Sequence, residues 1–309
     1  MSAGWVAATV RGRGLVRRRL GADGATRLAR SGSLPEALAA LGTTSYGPAL
    51  RADMDLATAQ RAVSATLLWH LRVLAGWGPP LGAGPLRILA AGFEIANVSG
   101  HLERLAGQRA PAPYRLGSMA SAWPAVSRAG TVAEVRTVLR RSGWGDPGSD
   151  DPAAVRLAMQ LGWARRVYDQ VPGAADAAVG GGALVVARIL AAGARATLGP
   201  SARRDATRLL GPHWDAALSP EDLARHVPRH AGAALLGVAS AANLWQAERR
   251  WWDAVESSGS TLAARAAAGA AAGVGVAALL AADAWRVRAA LAIAAGGGGD
   301  LAEVLDGVA

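Results

Sequence analysis

Three kinds of chemistry are open to the polar residues of this chain, and spacing decides how far each one goes. Metal ligation would draw on the five histidines, His70, His101, His213, His226 and His230. His226 and His230 lie four apart, the separation that puts two ligands on one helix face. The run between them is His-Val-Pro-Arg-His, however. No Glu follows His226, and Pro228 interrupts the helix, so an ordinary surface or partly buried pair is expected. Diphosphate chemistry of the isoprenoid kind needs Asp-rich clusters on two facing helices to hold magnesium. Asp150-Asp151 is followed at once by Pro152 and has no second Asp-Asp partner, so it predicts a helix cap. Nucleophilic catalysis finds no Gly-x-Ser-x-Gly elbow. The absence of Cys removes the thiol, the disulfide and the Cys-ligated metal together. Gly180–Gly182 and Gly296–Gly299 lack the Lys-Ser/Thr of a phosphate loop and follow no strand, so they are expected to be joints.

One polar constellation remains. Glu94, Asn97, His101 and Arg104 run in steps of three, four and three, one position away from the apolar stripe Ile88, Ala91, Ile95, Val98, Leu102 and Leu105. This offset puts them at the edge of the buried face of one long helix, partly solvated, where a Glu and an Asn bond neighbouring backbone. No nucleophile accompanies them, so the expectation is a packing or docking device.

The elements that carry these residues are helical. Residues of the set AVILMFWYC make up 51% of the 309, yet aromatics are only 5%, so the apolar mass is Ala, Leu and Val. Runs of alternating β-branched residues are missing, and Gly/Pro clusters punctuate stretches of helical period. Ser33 with Glu36 and Thr131 with Glu134 have capping-box spacing. Asp151-Pro152 and Ser219-Pro220 place a cap before a first-turn proline, and Asp55 is placed to cap a helix from Leu56. Further stripes are Leu56, Val63, Leu67, Leu71, Leu74, then Leu157, Leu161, Ala164, Tyr168, Val171, then Val276, Leu280, Ala284, Val287, Leu291. Ala183–Ala192 is apolar nearly all round and predicts a central helix. The expectation is an all-α chain of roughly 12 to 16 helices packed ridge into groove.

Charge and ends add little specificity. The formal charge is +10, and all 33 basic residues are Arg. An Arg-only, Ala- and Gly-rich chain follows a coding bias, so the charge favours an acidic partner only mildly. The densest basic patch, Arg11, Arg13, Arg17, Arg18 and Arg19, is expected to be a solvated face or an acidic-partner contact rather than a nucleic-acid site. Met1–Val10 does not have the order of a signal peptide. Ala266–Ala282 is uncharged but mostly Ala and Gly, and is expected to connect into a buried helix rather than to span a membrane. Three segments, 1–115, 116–200 and 201–309, share a coarse plan of a capped short helix, a longer apolar helix and an Arg-bearing end.

Several runs in order carry a resemblance. Trp5-Val6-Ala7-Ala8-Thr9-Val10-Arg11-Gly12-Arg13, then Leu34-Pro35-Glu36-Ala37-Leu38, lead to Thr44-Ser45-Tyr46-Gly47-Pro48-Ala49-Leu50. Together they resemble the first repeat of the C-type stalk component of archaeal and bacterial V/A-type rotary ATPases, whose eukaryotic relative is the d-type component. Phe93-Glu94-Ile95-Ala96-Asn97-Val98 with Leu102 is similar to that family's acidic-x-x-Asn helix. Ala242-Asn243-Leu244-Trp245 with Arg249-Arg250 resembles a second copy, with Ser240 where the acid would stand. Ala281-Ala282-Asp283-Ala284-Trp285-Arg286-Val287-Arg288, followed by Gly296–Gly299 and Leu301–Val308, is similar to the last helix and its C-terminal hook.

The resemblance implies an all-α funnel of three pseudo-symmetric helical-bundle repeats, 1–115, 116–200 and 201–309. It implies a non-catalytic central-stalk adaptor without cofactor or metal. Such a component links the rotor shaft to the membrane proteolipid ring and transmits torque for hydrogen-ion or other ion transport. Its partners would be the rotor shaft and the ring, with no nucleic acid. Membrane contact would be indirect through the ring, and the location cytoplasmic, peripheral to the cell membrane. Structural or interface candidates are Tyr46, Gly47, Glu94, Asn97, Asn243, Arg249, Arg17, Arg18 and Arg19. An all-α isoprenoid-type enzyme and an Arg-rich nucleic-acid-binding protein stay open as alternatives.

Overall fold

A computed structural model describes residues 3–78, 83–265 and 269–299, and all regular structure among them is helical. In chain order the α-helices are α1 (Ala3–Arg17), α2 (Gly21–Ala29), α3 (Leu34–Leu41), α4 (Leu56–Trp77), α5 (Ala83–Leu105), α6 (Trp123–Val126) and α7 (Val132–Arg140). Then come α8 (Pro152–Gln170), α9 (Ala175–Ala191), α10 (Pro200–Leu210), α11 (Pro220–His226), α12 (Arg229–Leu235), α13 (Leu244–Arg265) and α14 (Ala270–Ala295). The all-α expectation therefore holds.

The capping chemistry places the starts. Ser33, Asp55, Thr131, Asp151 and Ser219 each accept a hydrogen bond from a first-turn backbone N–H, of Glu36, Thr58, Glu134, Ala153 with Ala154, and Asp222. One expectation fails here. Gly180–Gly182 are no joint: they lie inside α9, where two helical neighbours need the room a side chain would fill. Residues 3–17 form a helix without any start signal, because α1 lays Thr9 and Gly12 inward and draws its order from packing.

The chain divides into two compact units. One comprises Met1–Leu86 with Trp252–Ala309, the other Arg87–Trp251. Both boundaries of the threefold division, after 115 and after 200, fall within the second stretch.

In the first unit α14 is the central element. Its Ala284, Val287, Ala290, Leu291 and Ala294 bury against α2, α3 and α4, through Ala25, Leu28, Leu38, Leu41 and Val63. Each fully buried Leu or Val there contributes about 1.5–3 kcal/mol relative to exposure. In the second unit α9 is central. Val179, Leu184, Val186 and Ile189 meet α8, α10, α11 and α12. A separate cluster gathers Ile95, Val98 and Leu102 of α5 with Val126, Val135, Leu139, Val155 and Met159. Among the described residues no helix is long and apolar enough to cross a membrane, α14 included. Of Ala266–Ala282, residues 266–268 lie outside the described residues; so does Leu301–Val308, the expected C-terminal hook.

Candidate functional site

The constellation on α5 is more deeply placed than its spacing predicts. Glu94 is fully buried and Asn97 nearly so, not at a solvated edge. The reason is that the segment 108–131 folds back over that side of the helix. Asn97 holds it like a clamp: its Nδ2 donates to the Tyr114 carbonyl at 2.9 Å, and its Oδ1 accepts the Tyr114 N–H at 2.6 Å. One turn on, the His101 ring nitrogen Nε2 donates to the Ala129 carbonyl at 2.9 Å, and Arg104 donates to Pro111 at 3.2 Å. Each buried backbone group so paired avoids a desolvation cost of about 1–3 kcal/mol.

Glu94 is the centre of this joint. Its Oε1 accepts the backbone N–H groups of Ser121, Ala122 and Trp123, at 2.8, 2.8 and 2.7 Å. Those are the orphan donors at the start of α6, so the carboxylate caps a helix it does not belong to. Its Oε2 accepts the Ser121 hydroxyl and the indole N–H of Trp144, the latter at 2.9 Å. With five donors, both oxygens are committed to structure. The Arg166 guanidinium lies 4.7 Å above the Trp144 ring. Burial lowers the pKa of Arg166, and the Glu94 charge opposes that shift.

A second buried carboxylate is built the same way in the other unit. Asp283 of α14, 1% exposed, accepts the N–H groups of Leu20 at 3.2 Å and Gly21 at 2.8 Å, at the start of α2. It also accepts the Tyr46 hydroxyl at 2.8 Å. Burial, and then the Asp283 charge, raise the Tyr46 pKa far above the ordinary phenol range. The approach of each aromatic donor is set by one device. Thr44 donates to the Leu41 carbonyl and accepts the Tyr46 N–H. Ser142 donates to the Leu139 carbonyl and accepts the Trp144 N–H. Tyr46 stands thirteen residues after the cap Ser33, and Trp144 thirteen after Thr131.

Three capped short helices and three long helices extend the correspondence. In α3, α7 and α11 the third helical residue reaches back to the N–H before the cap: Glu36 to Gly32, Glu134 to Gly130, Asp222 to Leu218, at 2.9, 2.6 and 2.9 Å. Helices α5, α9 and α14 end alike. A glycine at positive φ, Gly107, Gly193 or Gly297, is followed by an N–H bonded five residues back, Gln108 to Glu103, Ala194 to Ile189, Gly298 to Ile293. Glu94 lies thirteen residues before Gly107 and Asp283 fourteen before Gly297; thirteen before Gly193 is Gly180. There the indole of Trp251 takes the space and donates to the Ala177 carbonyl at 2.8 Å.

The remaining predicted residues are dispersed. Tyr46 is buried beneath Asp283, and Gly47 follows it where a Cβ would strike the Gly42 carbonyl. Asn243 is not on a helix but ends a 310 turn, Ala241–Asn243, ahead of α13, which also carries Arg249. The set of donors that resembles the α5 joint is the one at Asp283. Arg17 and Arg18 are exposed. Arg19 is half-buried and pairs with Glu256 at 3.0 Å; Glu256 in turn receives Arg286, which holds its carboxyl below the usual range against the cost of burial. His226 and His230 face different acids, Asp222 at 3.4 Å and Asp176 at 3.6 Å. Among the described residues no three His, Asp or Glu side chains gather as a metal site. Sequence reasoning did not single out Asp283, although it is the only acid in the long apolar helix α14. Compared with known proteins, the chain matches no family model and no curated protein.

Proposed function

We propose that this chain is a non-catalytic adaptor of the central stalk of a V/A-type rotary ATPase, seated between rotor shaft and proteolipid ring and passing torque between them. In this reading the three repeats are 1–115, 116–200 and 201–309. Each holds one capped short helix, α3, α7 or α11, and each of its long helices α5, α9 or α14 stops at one left-handed glycine. The carboxylate of the first repeat caps a helix of the second, and that of the third caps a helix of the first. In a funnel of three repeats these two joints would tie the first repeat to its neighbours on either side.

The observation that carries the proposal is the doubled joint, Glu94 with Trp144 and Asp283 with Tyr46. A piece that transmits torque must not shear between repeats. A buried carboxylate gripping two or more backbone donors is stiff, since any slip would leave its charge unpaired. Both carboxylates are fully engaged, which leaves them to hold the fold rather than to act on a substrate.

The test is co-expression of the tagged chain with the shaft and proteolipid proteins of a rotary ATPase from the same genome, followed by purification and negative-stain imaging. Recovery of a stoichiometric complex with ring and shaft is expected. A chain that stays monomeric in their presence would end the proposal. Magnesium-dependent turnover of a prenyl diphosphate would replace it with the enzyme reading, and steeply salt-dependent binding of DNA or RNA with the nucleic-acid reading.

A further inference from the structure

Helix α1 turns one face inward and leaves the other as a straight outer edge. Inward go Thr9 and Gly12, the latter so close to α14 that a Cβ would lie 2.9 Å from Val276. Outward go Val6, Val10, Arg13 and Arg17, in steps of four, three and four, so they form a single row. Val6 is 47% exposed and Val10 62%, on a helix whose buried residues are Thr9 and Gly12. Beside the row lie Arg11 and Arg18. The Arg11 guanidinium stacks 3.2 Å above the ring of Trp77, itself 45% exposed at the end of α4. Residues 1–20 include no Asp or Glu, and Arg13, Arg17 and Arg18 have no acidic partner among the described residues.

We propose that this edge binds directly to an anionic lipid surface, with α1 lying in the plane of the headgroups. Its chemistry is that of an interfacial helix: exposed valines to enter the acyl boundary, a Trp at the flank where its ring sits between apolar and wet layers, and arginines to meet lipid phosphates. Its shape separates a membrane from an acidic protein. A protein hot spot seats an anchor in a pocket. The row on α1 is convex and linear, about 17 Å from Val6 to Arg17, and fits a plane. Charge complementarity supplies the rest, since unpaired Arg side chains near an anionic leaflet gain attraction additively within a Debye length. The inference stands apart from the stalk reading, because it needs only lipid.

Flotation of the full-length protein with vesicles tests it. Pure phosphatidylcholine vesicles are compared with vesicles containing about a third phosphatidylglycerol, at low and high salt. Binding is expected to the anionic vesicles alone and to weaken with salt. Reversal of two charges, Arg13→Glu with Arg17→Glu, should lower the partition coefficient on the order of tenfold or more. Val6→Ser with Val10→Ser should lower it severalfold while leaving the salt dependence in place. Arg140→Glu with Arg141→Glu, the same change in net charge at the end of α7, should leave at least half of the binding. Circular dichroism melts of each variant report folding separately. Failure to float with anionic vesicles, equal flotation with neutral ones, or an equal loss in the Arg140/Arg141 control would each overturn the proposal. So would binding to polyglutamate without binding to vesicles, which would assign the edge to an acidic protein.

Discussion

The phenol of Tyr46 donates to Oδ2 of Asp283 across 2.8 Å inside the core of its unit, although the two residues are 237 apart in sequence. The carboxylate also caps α2 through Leu20 and Gly21, so a single buried charge fixes a helix start and a loop at once. Such a charge is tolerated because three donors replace its water. The same logic at Glu94 uses an indole in place of a phenol, and that substitution gives the two joints different pH behaviour.

Tyr46→Phe should lower unfolding free energy by about 1.5–3 kcal/mol at pH 7, the range for a hydrogen bond to a charged group. The sign of its pH dependence follows from the raised folded-state pKa. Below pH ~10 neither state ionises and the contribution is complete. Above that the unfolded phenol loses its proton while the buried one keeps it, so stability falls by about 1.4 kcal/mol per pH unit. Urea titrations from pH 8 to 11.5 should therefore show the gap between wild type and Tyr46→Phe closing above pH 10. A constant gap would mean the phenol is not held as the geometry requires.

Glu94→Ala should cost about 1–3 kcal/mol, because it strands the buried Ala122 N–H and leaves the part-buried N–H groups of Ser121 and Trp123 to water, while the Trp144 indole keeps the Ser121 hydroxyl at 3.1 Å. Glu94→Gln should cost less, keeping one oxygen for the N–H groups of Ser121, Ala122 and Trp123 while its amide faces the Trp144 donor. The order Ala worse than Gln, read from denaturant midpoints, checks the capping role. Equal losses would show that a neutral accepting oxygen does not cap there and that the carboxylate charge is what holds the joint.

Much of this was legible in the sequence wherever the signal is local. Ser33, Asp55, Thr131, Asp151 and Ser219 announce helix starts because a cap and its donor lie within four residues. The α5 polar edge was visible too, since Glu94, Asn97, His101 and Arg104 follow helical spacing. Their depth was not, because it depends on the segment around Tyr114 and Ser121 folding over them. Gly180–Gly182 misled for a related reason: glycine marks a joint in isolation, but next to Trp251 and Leu209 it marks close packing. Asp283 depends on donors more than 230 residues away, which no local pattern records.

His70 of α4 is buried, and burial lowers its pKa while the nearby Asp283 charge opposes the shift. A depressed folded-state pKa contributes stability that is complete above the unfolded value of ~6.5 and is lost as pH falls through the window below it. His70→Gln cannot charge and so escapes that loss. The difference in urea midpoint between wild type and variant should shift in favour of the variant on going from pH 8 to pH 5. A shift toward the wild type would mean that Asp283 outweighs burial and holds His70 protonated.

Gly180 and Gly181 offer a paired test of the third joint position. A Cβ at Gly180 would lie 2.7 Å from Cδ1 and 3.1 Å from Nε1 of Trp251, whereas one at Gly181 would sit 3.4 Å from Cζ2, an ordinary contact. The ring has little room to retreat from Gly180, because its Nε1 is bonded to the Ala177 carbonyl at 2.8 Å. Replacing a helical glycine by alanine gains about 1 kcal/mol in propensity at either site. Overpacking costs about 1–3 kcal/mol, and only at Gly180. Gly181→Ala should therefore match or exceed wild-type stability, while Gly180→Ala falls below it and shifts the tryptophan emission. If Gly180→Ala proves the more stable of the two, the indole does not fill the position that Glu94 and Asp283 occupy in the other long helices.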